Sequence, residues 1–87
     1  MKLYVGNLAH VTTAAELRQA CARFGAVRSA RVVFDRETGR SRGFGFVEME
    51  SRSAGEDIVA ELNGTELQGR KLRINEAHGR PNSEAGK

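Results

Sequence analysis

From Arg42 to Met49 the chain reads Arg-Gly-Phe-Gly-Phe-Val-Glu-Met, a strand with large apolar side chains on both of its faces. Alternation along an extended chain puts Phe44 and Phe46 on one side, and Val47 and Met49, with Gly43 and Gly45, on the other. Such a strand either lies between two covering layers or carries an apolar face that its own fold leaves bare. The choice depends on how many other elements the chain can supply. With 87 residues it has material for one small domain.

Two segments read as helices. Thr13-Ala14-Ala15-Glu16 has the spacing of a capping box, and Leu17, Ala20, Cys21 and Phe24 follow at helical intervals, with Gly25 placed for a left-handed stop. Ser53 and Glu56 have the same spacing before a stripe of Gly55, Ile58, Val59 and Leu62, which Asn63-Gly64 ends. Four strands are expected at roughly 2–7, 28–34, 43–49 and 71–76, each rich in aliphatic or aromatic residues and bounded by turn formers. Asp35 to Ser41 reads as a polar hairpin loop. The order is βαββαβ, an α+β ferredoxin-like sandwich with a four-stranded antiparallel sheet. Right-handed crossovers put both helices on one face of that sheet.

Nothing is then left to cover the other face. Val47 and Met49 match the aliphatic parity of Leu3 and Val5, of Ala30 and Val32, and of Leu72 and Ile74, which marks the core side. Phe34 shares that parity and is expected in the core or in strand-end packing. Tyr4, Phe44 and Phe46 fall on the open side, side by side if the first and third strands are central neighbours. Contiguous exposed aromatics on a small protein mark a binding surface. The same parity count brings Lys2 and Gly6, Arg31 and Val33, Arg42 and Glu48, and Lys71, Arg73 and Asn75 beside them. Rings framed by cations suit single-stranded nucleic acid, whose bases stack while its phosphates meet positive charge. Gly6 leaves room beside Tyr4 for a base, and Gly43 and Gly45 suggest close helix–sheet approach beneath the rings.

Charge agrees with an anionic partner. The net charge is +3, but Glu48, Glu50, Glu56, Asp57, Glu61 and Glu66 face only Arg52 in their segment, so the remainder is strongly basic. All but Lys2, Lys71 and Lys87 of the fourteen cations are arginine, the better partner for phosphates and bases. Such polarisation also serves solubility, and Lys2, Arg31 and Arg73 can each be read as solvated surface charge. Other chemistries lack their residues. One cysteine, Cys21, permits neither an internal disulfide nor a redox pair, and with only His10 and His78 no transition-metal centre is expected. Gly43-x-Gly45 lacks the third glycine of a dinucleotide loop, and no Ser or Cys has a His–carboxylate partner set. No apolar run approaches the ~20 residues of a membrane span. The expectation is a non-enzymatic, cofactor-free binding protein with no small-molecule substrate, monomeric and cytoplasmic, or nuclear in a eukaryote.

Leu3-Tyr4-Val5-Gly6-Asn7-Leu8 and Arg42-Gly43-Phe44-Gly45-Phe46-Val47-Glu48-Met49 resemble the two ribonucleoprotein motifs of the RNA-recognition motif family. The resemblance covers residues 2–77, so the expected domain is 1–77, with 78–87 a short polar, disordered tail. Met49 stands where the family usually has an aromatic, but its parity is inward. The resemblance implies that Tyr4 stacks on one base and Phe46 on the next toward the 3′ end, with Phe44 against the sugars and Arg42 on the intervening phosphate. It further implies that Asn75, Glu76 and Ala77 read base edges, that Lys2, Arg31 and Arg73 lend electrostatic support, and that Asn7 braces a strand end. The partner is then single-stranded RNA, with single-stranded DNA still open, in post-transcriptional regulation. The short chain is similar to the small single-domain RNA-binding proteins of bacteria, notably the cyanobacterial type. The alternative is a protein-interaction module on the same fold.

Overall fold

The computed structural model describes residues 1–77. The tail expected over 78–87, with His78, lies outside the described residues. The elements run β1 (Lys2–Gly6), α1 (Ala14–Ala22), β2 (Val27–Phe34), β3 (Ser41–Met49), α2 (Arg52–Glu61), β4 (Glu66–Leu67), β5 (Arg70–Lys71) and β6 (Arg73–Glu76). β2, β3, β1 and β6 form one antiparallel sheet in that order, so β1 and β3 are central. Both helices pack on one face of it, in the split-βαβ plan expected from the sequence.

The aliphatic parity is the buried one. Leu3 and Val5 of β1, Val47 and Met49 of β3, and Ile74 of β6 meet Leu17 and Cys21 of α1 and Ala54 and Ile58 of α2 in one core. α1 starts as the sequence requires: Thr13 Oγ1 accepts from the Glu16 N–H at 3.2 Å, and Glu16 Oε1 accepts from the Thr13 N–H at 2.8 Å. It stops differently. The Phe24 N–H tightens onto the Cys21 carbonyl at 2.9 Å, and Gly25 has φ +157°, far from a left-handed helical value. Glycine fits there because a Cβ would lie 2.8 Å from the Ala54 Cβ of α2.

The start of α2 corrects the sequence reading. Its N-cap is Ser51, whose Oγ accepts from the Ala54 N–H at 3.1 Å, and Ser53 already lies inside the helix. Glu56 instead meets Arg52 one turn earlier, at 3.5 Å. The last strand is also divided. Leu72 leaves the main ladder to exchange hydrogen bonds with Gly64 and Thr65, each 2.8 Å. Before it, β4 and β5 make a small hairpin turned by Gln68 and Gly69, at φ +52° and +86°. Gln68 ties that hairpin to α1, accepting from Thr12 Oγ1 at 2.6 Å and donating to Glu16 Oε2 at 2.7 Å.

Phe34 is not in the core: 55% of it is exposed. The β2–β3 register slips between Val32 and Phe34, so the parity counted from Ala30 and Val32 no longer applies. The following loop is held by Asp35, whose Oδ1 accepts from the Glu37 and Thr38 N–H groups at 2.7 and 3.2 Å. Those donors hold its carboxyl below the ordinary carboxylate value, so this support persists at neutral pH and is lost as pH falls through the lowered value.

Cys21 fills the α1 stripe at 1% exposure, and burial pushes its thiol from 9.0 up to about 11. The folded state thus favours the neutral thiol, and its contribution is complete below pH 9 and lost as pH rises toward 11. At pH 8 a thiol reagent should label Cys21 no faster than the protein unfolds. The denaturation midpoint should fall from pH 9 to 11 by an amount that Cys21→Ala removes. Rapid native labelling would show an open α1 stripe.

Candidate nucleic-acid interface

The register sets the open face directly. Tyr4 lies opposite Phe46 and Gly6 opposite Phe44, so the three rings cluster on the two central strands. Their centroids are 5.9 Å (Tyr4–Phe44), 6.0 Å (Tyr4–Phe46) and 6.1 Å (Phe44–Phe46) apart. The Phe46 plane stands at 68° to Tyr4 and 89° to Phe44, an edge-to-face arrangement that supports the rings without closing their outer faces. All three are half-buried and none belongs to the core.

The glycines around them have reasons other than those expected. A Cβ on Gly6 would lie 2.6 Å from the Tyr4 hydroxyl and 2.8–2.9 Å from its ring carbons, so the Tyr4 side chain itself leans over Gly6 and occupies the space assigned to a base. Gly43 sits in the slipped stretch of β3 at φ +82°, which a side chain would strain. A Cβ on Gly45 would run into the Arg31 carbonyl of β2. The close approach is therefore between strands, not between helix and sheet.

Cations gather over the rings. Lys2 Nζ stands 5.1 Å from the Phe46 centroid and the Arg31 guanidinium 5.5 Å from it, on the strand to the other side. The Arg42 guanidinium lies 6.0 Å from the Phe44 centroid. These pairings hold three positive charges over the open side of the rings. β6 extends the face: Asn75 is opposite Tyr4 and Arg73 opposite Gly6, both exposed.

Glu76 departs from this face. It pairs with inward-facing Leu3, and its carboxylate takes an ion pair from Arg52 of α2 at 3.0 Å. Only its backbone is left for a ligand. The Ala77 N–H is given to the Lys2 carbonyl at 2.8 Å, which continues the β1–β6 edge. Asn7 has the bracing part expected of it. At φ +59° it turns the chain out of β1, and its Nδ2 donates to the Lys71 carbonyl at 2.7 Å while Arg70 donates to its Oδ1. Glu48 shares the front with the rings, as the parity count expects, opposite Lys2 of β1 and Ser29 of β2.

Among the described residues no cluster of His, Cys, Asp or Glu could hold a metal ion, and no helix is long and apolar enough to cross a membrane. A cleft between the helices and the β4–β5 hairpin, floored by Phe24, Leu62, Leu67 and Leu72, lies on the helix side, remote from the rings.

The family model for the RNA recognition motif matches residues 3–73. The mitochondrial glycine-rich RNA-binding protein 2 of Arabidopsis thaliana is 49% identical over 82 residues, covering 94% of this chain and 52% of that protein. The RNA-binding protein RbpE of Nostoc sp., so named only provisionally, is 45% identical over 86 residues, covering 99% of this chain and 85% of its own. This chain spans about half the length of the Arabidopsis relative, and 34% of the chloroplastic 28 kDa ribonucleoprotein of Spinacia oleracea. Among solved structures, RNA-binding protein PG1 superposes with a TM-score of 0.89 at 52% identity, covering 93% of this chain and 98% of that one. The Rna15 RRM with bound RNA (GU) superposes at 0.78 and 29% identity, covering 87% and 81%.

Proposed function

The chain belongs to the RNA recognition motif family, and from that premise we propose that its open sheet face binds single-stranded RNA by base stacking and phosphate contact. The observation that carries this reading is the set of three rings about 6 Å apart, with Lys2, Arg31 and Arg42 each within about 6 Å of a ring. Tyr4 takes one base and Phe46 the next toward the 3′ end. Phe44 lies against the sugars, and Arg42 pairs with the phosphate between. Asn75 and the backbone of Glu76 and Ala77 meet base edges, while Lys2, Arg31 and Arg73 raise the local positive potential. The RNA bound to the Rna15 domain, which shares this fold, supports the choice of ligand.

Two stacked bases and one or two phosphates, less the cost of ordering a flexible strand, give a dissociation constant on the order of 1 μM. The protein binds as a monomer in this reading, over a domain of residues 1–77, and serves post-transcriptional regulation. A cytoplasmic location belongs to this proposal, and the relatives named as mitochondrial and chloroplastic make an organelle the competing one.

Fluorescence anisotropy with a labelled single-stranded RNA, its duplex and the matching DNA tests the reading. The single strand should bind and the duplex should not, because its bases are already stacked. Arg42→Ala should reduce the slope of log affinity against log salt by about 0.7, the contribution of one phosphate on a single strand. Equal binding of duplex and single strand would remove stacking as the mode, and an unchanged slope would remove Arg42 as the phosphate ligand.

A further inference from the structure

We propose that Glu48 gives this platform its base preference, selecting guanine for the position stacked on Phe46; the inference rests on the RNA-binding reading above. Among the described strand residues of the open face, Glu48 is the one carboxylate. Its neighbours in the sequence and sheet have partners. Glu50 is held by Arg28 at 3.3 Å, and Glu76 by Arg52 at 3.0 Å. Glu48 has no ion pair or hydrogen bond among the described residues, although Lys2 stands opposite it on β1 and Ser29 opposite it on β2. Lys2 instead turns its ammonium over the Phe46 ring, 5.1 Å from the centroid.

An unpartnered anion on a face built for phosphate opposes binding through repulsion unless the ligand brings donors to it. Glu48 is two residues beyond Phe46 on the same face, about 7 Å along the strand. A base lying flat on Phe46 can therefore turn an edge toward it. A carboxylate only accepts hydrogen bonds, and its two oxygens match two adjacent N–H groups. Guanine presents such a pair, N1–H beside the N2 amino group. Adenine and cytosine each present one amino group beside a bare ring nitrogen, whose lone pair the carboxylate repels. Uracil presents one N–H between two carbonyl oxygens. The order is guanine first and uracil last. Asn75, opposite Tyr4, both donates and accepts, so it adapts to any base and leaves the discrimination to Glu48.

The test uses the whole chain and its E48Q variant against four short oligouridylates that differ at one central position, G, A, C or U, read by anisotropy. The unsubstituted protein should bind the G-containing strand roughly tenfold more tightly than the all-U strand. E48Q should bind all four within about threefold of one another, because an amide donates as well as accepts. An unsubstituted protein indifferent to the central base, or an E48Q variant that keeps the guanine preference, would overturn the proposal while leaving the platform intact. A uniform gain for all four strands in E48Q, with their order unchanged, would reduce Glu48 to a repeller of phosphate and overturn it equally. Loss of the stacking platform itself reads differently: Phe46→Ala would then leave the affinity for every strand unaltered.

Discussion

Phe46→Ala and Tyr4→Ala should each weaken single-stranded RNA binding tenfold or more while the protein stays folded. A stacked base is worth ~1–3 kcal/mol by alanine substitution, and each 1.4 kcal/mol is about a factor of ten. The two rings are 6.0 Å apart and each positions the other, so the double variant should lose less than the product of the single losses. Phe46 should be the more sensitive site, because Lys2 and Arg31 are both organised over it. Neither ring contributes to the core, so melting temperatures should move far less than affinities. Anisotropy titrations beside thermal melts check both halves. Affinities equal to that of the unsubstituted protein would remove the rings from the binding surface.

Ile58→Ala should have the opposite profile. Ile58 has no exposed surface and lies on α2 against the sheet, where truncation leaves a cavity costing ~2–5 kcal/mol. A domain of this size has ~5–15 kcal/mol of stability at most, so the loss is a large fraction of the whole. Urea unfolding should show a midpoint shifted well downward with an unchanged slope. The molecules that remain folded should bind RNA with normal affinity, since the cavity is on the far side of the sheet from the rings. A midpoint that does not move would mean that Ile58 is outside the core.

The contrast between these substitutions follows from period-2 parity on the central strands, which could be read in the sequence because β1 and β3 run in regular register opposite one another. Tyr4, Phe44 and Phe46 on one side, and Leu3, Val5, Val47 and Met49 on the other, needed only that count and the number of helices. Counting failed where regularity fails. Parity assigns Phe34 to the core or to strand-end packing, because the bulge around Gly43 that breaks the count has no marker in sequence beyond the glycine itself. The β4–β5 hairpin has strands of two residues, too short to show a period, and its Gln68-Gly69 turn lacks the usual asparagine. Ser53 has cap chemistry and the right spacing to Glu56 but lies one residue inside α2, and the extended backbone at Ser51 is what marks the start of the helix. Glu76 has inward parity like Ile74, a count the family resemblance overrode when it set Glu76 among the base-reading residues, and its pairing with Arg52 comes from a residue 24 positions away.

The central claim is that the ring-bearing face, and not the helix face, meets the RNA. Amide and side-chain NMR spectra recorded while a short single-stranded RNA is titrated into the protein test it most directly. Resonances of Tyr4, Phe44, Phe46, Arg31 and Asn75 should shift together with one saturation curve, while those of Leu17, Cys21 and Ile58 stay in place. Saturating shifts centred on α1 and α2, with the three rings unmoved, would contradict it.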